Sequence, residues 1–280
     1  MEFTQYERAG DLLLEIGSYL EEREVENNLP LGVLKQLHRE EKEKKQSTAF
    51  IAEARKDNKP CAVLIQTPPR KMIVCGKTEA MREAAEWLFF LSKTVPGVVG
   101  CESAAEAFAK AWTEISGKEA VLVKEQFIYK LERVDEFEQP PGKLTYASED
   151  DTALVMAWTE DFVMGSLREE DVKKLEETVL DQIRRNEVYL WRDEDHVPVS
   201  MAKRTRELTN GVVVNYVYTP EEYENQGFAT ACVGAMAGRL LDEGFEFCSV
   251  NTDIENEASK NVYQKLGFVR IGRSLEFDFK

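Results

Sequence analysis

The sequence predicts a mixed α/β protein built from two similar halves. Its 280 residues are enough for two ordinary domains of roughly 100–200 residues each. A short polar stretch at residues 135–142, which ends in Pro140, Pro141 and Gly142, separates two runs of amphipathic and strand-like patterns. In both runs, helical patterns precede a hairpin and then alternate with strands. These observations predict one domain at residues 1–135 and a second at residues 143–280.

The first half begins with two predicted amphipathic helices, at about residues 3–26 and 31–44. Two apolar runs, 49–52 and 61–65, are joined across a polar turn and therefore predict a β-hairpin. A short strand at 71–75, helices at about 78–94 and 103–115, and a long strand at about 119–133 complete this half.

The second half repeats this order of elements. Helical patterns at about 150–163 and 169–185 precede a hairpin formed by residues 188–191 and 197–204. A strand at 212–218, a helix at about 227–243, a strand at 246–251, a helix at 256–266 and a strand at 268–279 follow. The recurrence leads to the hypothesis of an internal duplication, although the halves show no detectable residue identity.

The charge balance excludes some classes of partner. With 36 Lys and Arg against 52 Asp and Glu, the formal net charge is −16. Non-specific affinity for nucleic acid and for anionic membrane surfaces depends on basic side chains, so we expect neither as a partner. The acidity mildly favours small cationic partners, but a role in solubility is the preferred explanation of the charge.

The cysteines and histidines argue against a disulfide framework and a metal site. The five cysteines are widely separated, no Cys-x-x-Cys pair occurs, and the chain has two histidines. Apolar neighbours surround each cysteine, which is typical of core positions. The N-terminus lacks the pattern of a signal peptide, and no apolar run approaches the roughly 20 residues of a membrane span. We therefore expect a reduced, cytoplasmic compartment and proton transfer by Tyr, a carboxylate or water.

A first candidate site lies between a predicted strand and a helix. The strand ends near Tyr218, a polar loop follows, and Gly227 stands where a helix rich in small residues begins. Free N–H groups and the dipole at a helix start attract an anion, and glycine lets a phosphate approach closely. The segment is neither a Walker loop nor a dinucleotide fingerprint. On this segment alone, a glycine that only permits a tight turn is the simpler interpretation.

A second segment, residues 249–268, adds a polar helix face. Counted from Asn256, Ser259 or Lys260 lies three or four residues later and Tyr263 seven residues later. These residues therefore share one side of the predicted helix. Such a face could hold an amide-bearing ligand and supply one proton. A helix cap at Asn256 and a core position for Tyr263 explain the same residues and do not exclude chemistry.

Together these segments resemble the acetyl-CoA-binding region of the GNAT N-acetyltransferases. The second block, Asn-x-x-Ser-x-x-x-Tyr-x-x-x-Gly-Phe from Asn256 to Phe268, is the more specific of the two. Strong similarity covers about residues 187–280, and the helices at 150–185 fit the opening of that fold. Residues 1–135 have the same order of elements without either motif. The resemblance therefore implies a tandem protein with a catalytic GNAT fold in the C-terminal half and a degenerate, GNAT-like N-terminal half.

The resemblance implies a role for each matching residue. Backbone groups of the strand end would bind the pantetheine arm and polarise the thioester carbonyl, the loop would cradle the pyrophosphate, and Asn256 would bind the arm near the thioester. Tyr263 would act as general acid toward the departing thiolate, with water relayed to an acidic group as the base. The implied contacts to acetyl-CoA come from Tyr216, Val217, Tyr218, Gln226, Gly227, Phe228, Ala229, Thr230, Asn256 and Ser259, and no metal is implied.

The sequence thus predicts an acetyl-CoA-dependent N-acetyltransferase that acts on an unidentified primary amine. Its loop departs from the family pattern at Glu224, where Arg or Gln is usual, and a carboxylate there would repel a pyrophosphate. This departure and the degenerate first half leave an alternative, a non-catalytic module that senses acyl-CoA or binds a protein. Another acyl donor, such as succinyl-CoA, also stays open, as do the acceptor and the oligomeric state.

Overall fold

A computed structural model describes residues 1–45, 47–163 and 175–280 and divides them into two compact units. Unit 1 comprises Met1–Ile128, Asn251–Glu255 and Arg270–Lys280, and unit 2 comprises Tyr129–Val250 and Asn256–Val269. The C-terminal strand, which follows the expected boundary at residues 135–142, therefore belongs to unit 1. No local sequence pattern indicates this return of the chain. The assignment of a catalytic domain to residues 143–280 stays a prediction.

Unit 1 is a mixed sheet with helices. Its elements are β1 (Glu2–Tyr6), α1 (Ala9–Glu21), α2 (Asn28–Lys42), β2 (Phe50–Lys56), β3 (Lys59–Gln66), β4 (Met72–Gly76), α3 (Thr78–Phe90), β5 (Gly97–Cys101), α4 (Glu102–Ser116), most of β6 (Ala120–Leu131) and nearly all of β12 (Val269–Phe279). The strand order is β1-β2-β3-β4-β5-β12-β6, and β4 and β5 are parallel. The predicted hairpin is confirmed: β2 and β3 meet at Asp57 and Asn58, whose φ angles of 53° and 61° suit a tight hairpin turn.

Unit 2 contains the candidate site. Its elements are β7 (Lys143–Tyr146), α5 (Thr152–Val163), α6 (Leu175–Arg184), β8 (Val188–Arg192), β9 (Pro198–Glu207), β10 (Gly211–Tyr218), α7 (Phe228–Asp242), β11 (Phe247–Asp253, of which residues 251–253 belong to unit 1) and α8 (Glu257–Lys265). The strand order is β11-β10-β9-β8-β7, with β10 and β11 parallel. The predicted helix at 169–185 is confirmed from Leu175 onward, and residues 169–174 lie outside the described residues.

Three short strands were not predicted. The N-terminus forms β1 before α1, so the prediction of a helix from residue 3 is wrong. β1 is mostly exposed and pairs along one strand only, as does the four-residue β7, so neither carries the apolar alternation of a half-buried strand. β5 reads Gly-Val-Val-Gly-Cys, in which two glycines interrupt the apolar pattern.

A buried apolar cluster lies between α5, α6 and the sheet of unit 2. Its members are Ala147, Val155, Trp158, Leu175, Val179, Ile183, Val188, Leu190 and Met201, and Tyr216 and Tyr218 pack against it. The inner face of α5 therefore lies over the C-terminal end of β10. This packing places residues of α5 beside the strand on which the first candidate site depends.

The cysteines occupy core positions, as predicted. All five are free thiols, and four of them are buried. Burial raises the pKa of Cys232 and of Cys248 to about 12, so both stay protonated and poorly nucleophilic at neutral pH. Among the described residues, no helix is both long and apolar enough to cross a membrane.

Candidate active site

The parallel strands β10 and β11 separate partway along their length. Their registered pairs run from Gly211 with Phe247 to Val213 with Ser249, while β10 continues to Tyr218. The pairing of β10 with β9 is also irregular, with register shifts after Val213 and between Asn215 and Tyr218. Such shifts are the mark of a β-bulge, which bends a strand and often lies at a functional site. The C-terminal end of β10 therefore departs from regular strand geometry.

Tyr216 lies within this irregular stretch in an uncommon backbone conformation. Its φ is 50°, and its backbone N–H donates a hydrogen bond to Asn215 Oδ1 at 2.8 Å. A left-handed conformation costs a non-glycine residue roughly 1–2 kcal/mol. Residues held in this way cluster at functional sites, where the surrounding structure keeps them in place. The predicted thioester-binding residues 216–218 thus coincide with the most distorted part of β10.

The loop after β10 ends in an uncapped helix start. Gly227 has a φ of 85°, and α7 begins at Phe228. No side chain caps this end, and its first turn contains no acidic residue. The first N–H groups of a helix have no acceptor within the helix, so those of residues 228–230 are available to a ligand. This arrangement suits an anion and agrees with the predicted phosphate site.

The backbone conformation, and not crowding, explains the glycine at position 227. A β-carbon there would meet only Pro140, at 3.7 Å, which is an ordinary contact. The positive φ, by contrast, strains any L-residue with a side chain. Nearby, Gln226 Nε2 donates to the Glu222 carbonyl at 3.0 Å, which turns this side chain back toward its own loop. Both the helix-start and the tight-turn interpretations of the glycine therefore apply together.

Glu224 lies outside the first turn of α7. Its side chain is exposed, and its charge is one of those that raise the pKa of the Tyr218 hydroxyl. The carboxylate therefore acts electrostatically on the end of β10. Its effect on a bound pyrophosphate stays a prediction.

Asn256 caps α8, as one interpretation of the sequence predicted. Its Oδ1 accepts a hydrogen bond from the Ser259 N–H at 2.9 Å. The amide nitrogen takes no part in this cap. One atom of the side chain therefore stabilises the helix start, and the other can still donate to a ligand.

Tyr263 packs in the core of unit 2. Its ring lies 6.0 Å from that of Tyr129 and 5.3 Å from that of Phe268, and the side chain is 5% exposed. Burial raises the pKa of Tyr263, with a further contribution from Tyr129. The phenol therefore keeps its proton at neutral pH and can only donate it or share it.

The helices of the two candidate segments, α7 and α8, pack against each other. A β-carbon at Gly234 of α7 would come within 2.5 Å of Phe137 and within 2.7 Å of Leu266, the residue after α8. Gly234 therefore permits the close approach of the helix that starts at Gly227 and the helix that carries Tyr263. The side chains of Asn256, Ser259 and Tyr263 stay candidates for ligand contact on the strength of this packing and of the motif.

Three residues near the end of β10, namely Trp158, Asp161 and Lys203, were not identified from the sequence. Tyr218 donates a hydrogen bond from its hydroxyl to Asp161 Oδ2 of α5 at 3.0 Å. Lys203 of β9 is 1% exposed, and its Nζ lies 4.8 Å from the ring centre of Tyr216. Trp158 packs its ring 5.8 Å from that of Tyr218. Lys203 follows two apolar residues but begins the polar run that ends β9, so no sequence signal marks it as buried, and an acidic residue on a surface helix carries none either.

No group of three or more His, Cys, Asp or Glu in the described part of the chain is arranged to hold a metal ion. The candidate groups described above are backbone amides, a phenol and carboxylates.

Comparison with known proteins identifies the fold. The model of the acetyltransferase (GNAT) family matches residues 128–268, which cover unit 2 almost from end to end. An acetyltransferase of the GNAT family from Colwellia psychrerythraea is similar with a TM-score of 0.64 and 11% identity over 100% of both chains. A GCN5-related N-acetyltransferase from Sphaerobacter thermophilus gives a TM-score of 0.59 and 14% identity over 87% of this chain and 84% of that one.

The tandem arrangement also has a counterpart. A tandem GNAT protein from the clavulanic acid biosynthesis pathway is similar with a TM-score of 0.57 and 12% identity over 99% of this chain and 97% of that one. At such identities the likeness shows the fold alone, and no curated protein matches the sequence. The family match over half of the chain is the decisive finding, and with it the chain belongs to the GNAT acetyltransferase family.

Proposed function

We propose that unit 2 transfers an acetyl group from acetyl-CoA to a primary amine. The observation that carries this proposal is the combination of two parallel strands that separate and, beside them, a helix whose first N–H groups are uncapped. The first feature gives room for an extended arm between strands, and the second suits a pyrophosphate. Family membership supports acyl transfer in general.

The phosphate site would rely on the backbone. Residues Gln226, Gly227, Phe228, Ala229 and Thr230 form the end of the loop and the first turn of α7, and this turn contains no acidic residue. Main-chain N–H groups and the helix dipole stabilise a bound anion by up to about 2 kcal/mol in favourable geometry. A chain with a net charge of −16 can thereby bind a polyanionic ligand without a basic cluster.

The thioester would lie at the distorted end of β10. Backbone groups of Tyr216, Val217 and Tyr218 would receive the pantetheine arm and donate to the thioester oxygen, on which negative charge develops. On α8, the amide nitrogen of Asn256 and the side chain of Ser259 would donate to the same arm. The cap bond at Asn256 uses only its oxygen, which leaves this donor available.

The reaction would proceed by direct attack. The neutral amine nitrogen attacks the thioester carbon, a C–N bond forms, the C–S bond breaks, and the electron pair of that bond leaves with sulfur. Tyr263 donates its hydroxyl proton to the thiolate and regains one from solvent. The proton lost by the amine passes through water to a carboxylate. Tyr263 holds its proton at neutral pH, so the phenol is present as the acid when the thiolate departs.

The substitution Tyr263→Phe tests this role. We expect turnover to fall by roughly 10²-fold, since one positioned proton donor is lost. Acetyl-CoA affinity should be unchanged, because the ring that packs in the core is retained. Tyr129→Phe is the matched control, since it removes the hydroxyl of the ring 6.0 Å away. Release of free thiol with a panel of primary amines gives the rate, and an unchanged rate in Tyr263→Phe at every pH would exclude Tyr263 as the acid.

Unit 1 is proposed to have a structural or acceptor-shaping role. Its helix α3 follows β4 as α7 follows β10, yet the first turn of α3 carries Glu79. A carboxylate at that position repels an anion from the helix start. We therefore expect one acetyl-CoA site per chain, in unit 2.

A further inference from the structure

The end of β10 and the last turn of α5 place a carboxylate beside the candidate site. Tyr218 donates its hydroxyl hydrogen to Asp161 Oδ2 at 3.0 Å, and this bond fixes the orientation of the carboxylate. The other oxygen, Oδ1, accepts no hydrogen bond from the described part of the chain. Asp161 is exposed. Its Oδ1 can therefore bind a ligand cation without breaking a hydrogen bond to the residues that the structure describes.

Two aromatic side chains of α5 lie near Asp161 in sequence and pack on the tyrosines of β10. Phe162 follows Asp161 in α5, and its ring lies 5.0 Å from that of Tyr216. Trp158 lies one turn earlier, 5.8 Å from Tyr218. Trp158 is buried and supports the others, whereas Phe162 is 40% exposed. Asp161 and the partly exposed ring of Phe162 thus both lie at the end of α5 that packs on β10.

The charge at this position is negative. Burial, the hydrogen bond to Asp161 and the charges of Asp161, Glu222 and Glu224 raise the pKa of Tyr218 to about 12. The cation Lys203 contacts the Tyr216 ring from a buried position and is held there by Thr159 and Gln182. It therefore does not offer a cation to a ligand that approaches from solvent.

We propose that Asp161 binds the ammonium group of the acceptor and Phe162 its hydrocarbon part, so that the acceptor is an aryl- or alkylamine without a carboxylate. The bound ammonium releases one proton to water before its nitrogen, then neutral, attacks the thioester. A single oriented carboxylate in an acidic surrounding attracts an ammonium and repels an amino acid, whose own carboxylate lies two bonds from the amine nitrogen. The exposed ring adds apolar contact and a cation–π contribution. Asp161 is a specificity-determining residue, and its identification with the acceptor rests on the proposed function.

The test compares three probes that share one hydrocarbon part. 2-Phenylethylamine is the cation, 2-phenylethanol lacks the charge, and phenylalanine adds a carboxylate. Calorimetric titration of the full chain, with and without CoA, gives their affinities. We expect the amine to bind about 10-fold more tightly than the alcohol and the amino acid, as one charge-assisted hydrogen bond provides.

Two variants locate the effect. Asp161→Asn keeps an oxygen that can accept from Tyr218 and removes the charge, so the advantage of the amine over the alcohol should disappear. Glu160→Gln removes one charge from the neighbouring, exposed position of the same helix and should preserve that advantage. Phe162→Ala should weaken binding of both the amine and the alcohol, and of the amine by more, because the amine also loses the cation–π contribution.

Several results would overturn the proposal: no binding of the amine, equal binding of amine and alcohol by the unaltered chain, or the same loss in Asp161→Asn and Glu160→Gln. Acetyl-CoA is titrated separately. If acetyl-CoA binds and the amine is not preferred, this inference alone fails. If acetyl-CoA does not bind, the proposed function fails, and a preference that depends on Asp161 would still show a cation-binding site.

Discussion

Lys203 is a buried ammonium group, and its replacement gives the sharpest test of the energetics around the site. Its Nζ donates to Thr159 Oγ1 at 2.7 Å and to Gln182 Oε1 at 3.0 Å, both neutral oxygens. No carboxylate in the described part of the chain forms an ion pair with it. Burial lowers the pKa of Lys203 to about 8. We predict that Lys203→Met stabilises unit 2 at neutral pH.

The sign and size follow from the pKa difference. The unfolded chain binds the lysine proton up to a pKa of about 10.4, so between about pH 8 and 10 it holds more protons than the folded chain. The free energy of unfolding of the unaltered protein therefore rises with pH in that window. The penalty at pH 7 is on the order of 3 kcal/mol, and roughly 2 kcal/mol of it is recovered by about pH 9.5.

The contacts of Lys203 offset part of this penalty. Two hydrogen bonds to neutral oxygens and the contact with the Tyr216 ring together stabilise the ammonium by about 2 kcal/mol. Methionine fills a similar volume and has no charge to bury. We expect a net gain of about 1 kcal/mol at pH 7 in Lys203→Met and no corresponding rise toward pH 9.5.

Chemical denaturation at about pH 7 and 9.5 measures the stability gain of Lys203→Met and the pH dependence of stability. Lys143→Met, at an exposed lysine of β7, is the control and should retain the pH dependence of the unaltered protein. The reasoning is refuted if stability of the unaltered protein does not increase over this range, or if Lys203→Met is less stable than the unaltered protein at pH 7.

The remaining predictions concern the ligand-binding elements. Gly227→Ala should lower stability by roughly 1–2 kcal/mol and should also lower acetyl-CoA affinity. Gly244→Ala is the control, because Gly244 also has a positive φ but lies beyond the far end of α7, and it should lower stability alone. Equal acetyl-CoA affinities of the two variants in calorimetry would exclude the helix start as the phosphate site. Asn256→Ala should lose the cap to Ser259 and about 1 kcal/mol of stability in thermal unfolding. Asn256→Asp should keep the cap and weaken acetyl-CoA binding. Unimpaired binding in Asn256→Asp would show that the amide nitrogen contacts no ligand. Glu224→Gln should raise acetyl-CoA affinity by about 2-fold to 5-fold at low ionic strength, and an unchanged affinity would show that this carboxylate lies away from the phosphates.

Local patterns predicted most elements of unit 2 within a few residues. The strand at Gly211–Tyr218, the helix from Phe228 and the helix with its stop at Gly267 follow from apolar periodicity and from capping chemistry, which depend on neighbours in sequence. The placement of residues 270–280 in unit 1 depends on pairing with strands more than a hundred residues away. No local pattern encodes such a pairing, and for this reason it was not predicted.

The candidate site was predictable only in part. Its motif indicated the residues at the starts of α7 and α8, whereas Asp161 and Phe162 became visible only when α5 was packed over the end of β10. For Asn256, the sequence pattern does not distinguish a structural role from ligand binding. It caps a helix in the structure, and the same residue type in the same position would also serve a ligand.

Titration of the full chain with acetyl-CoA in a calorimeter tests the proposed acyltransferase function most directly. We predict saturable binding of one molecule per chain, because unit 2 has an uncapped, non-acidic helix start and α3 of unit 1 carries Glu79 in its first turn. The absence of any binding heat at millimolar acetyl-CoA would contradict this function. It would leave a protein-interaction module on a GNAT fold as the remaining interpretation.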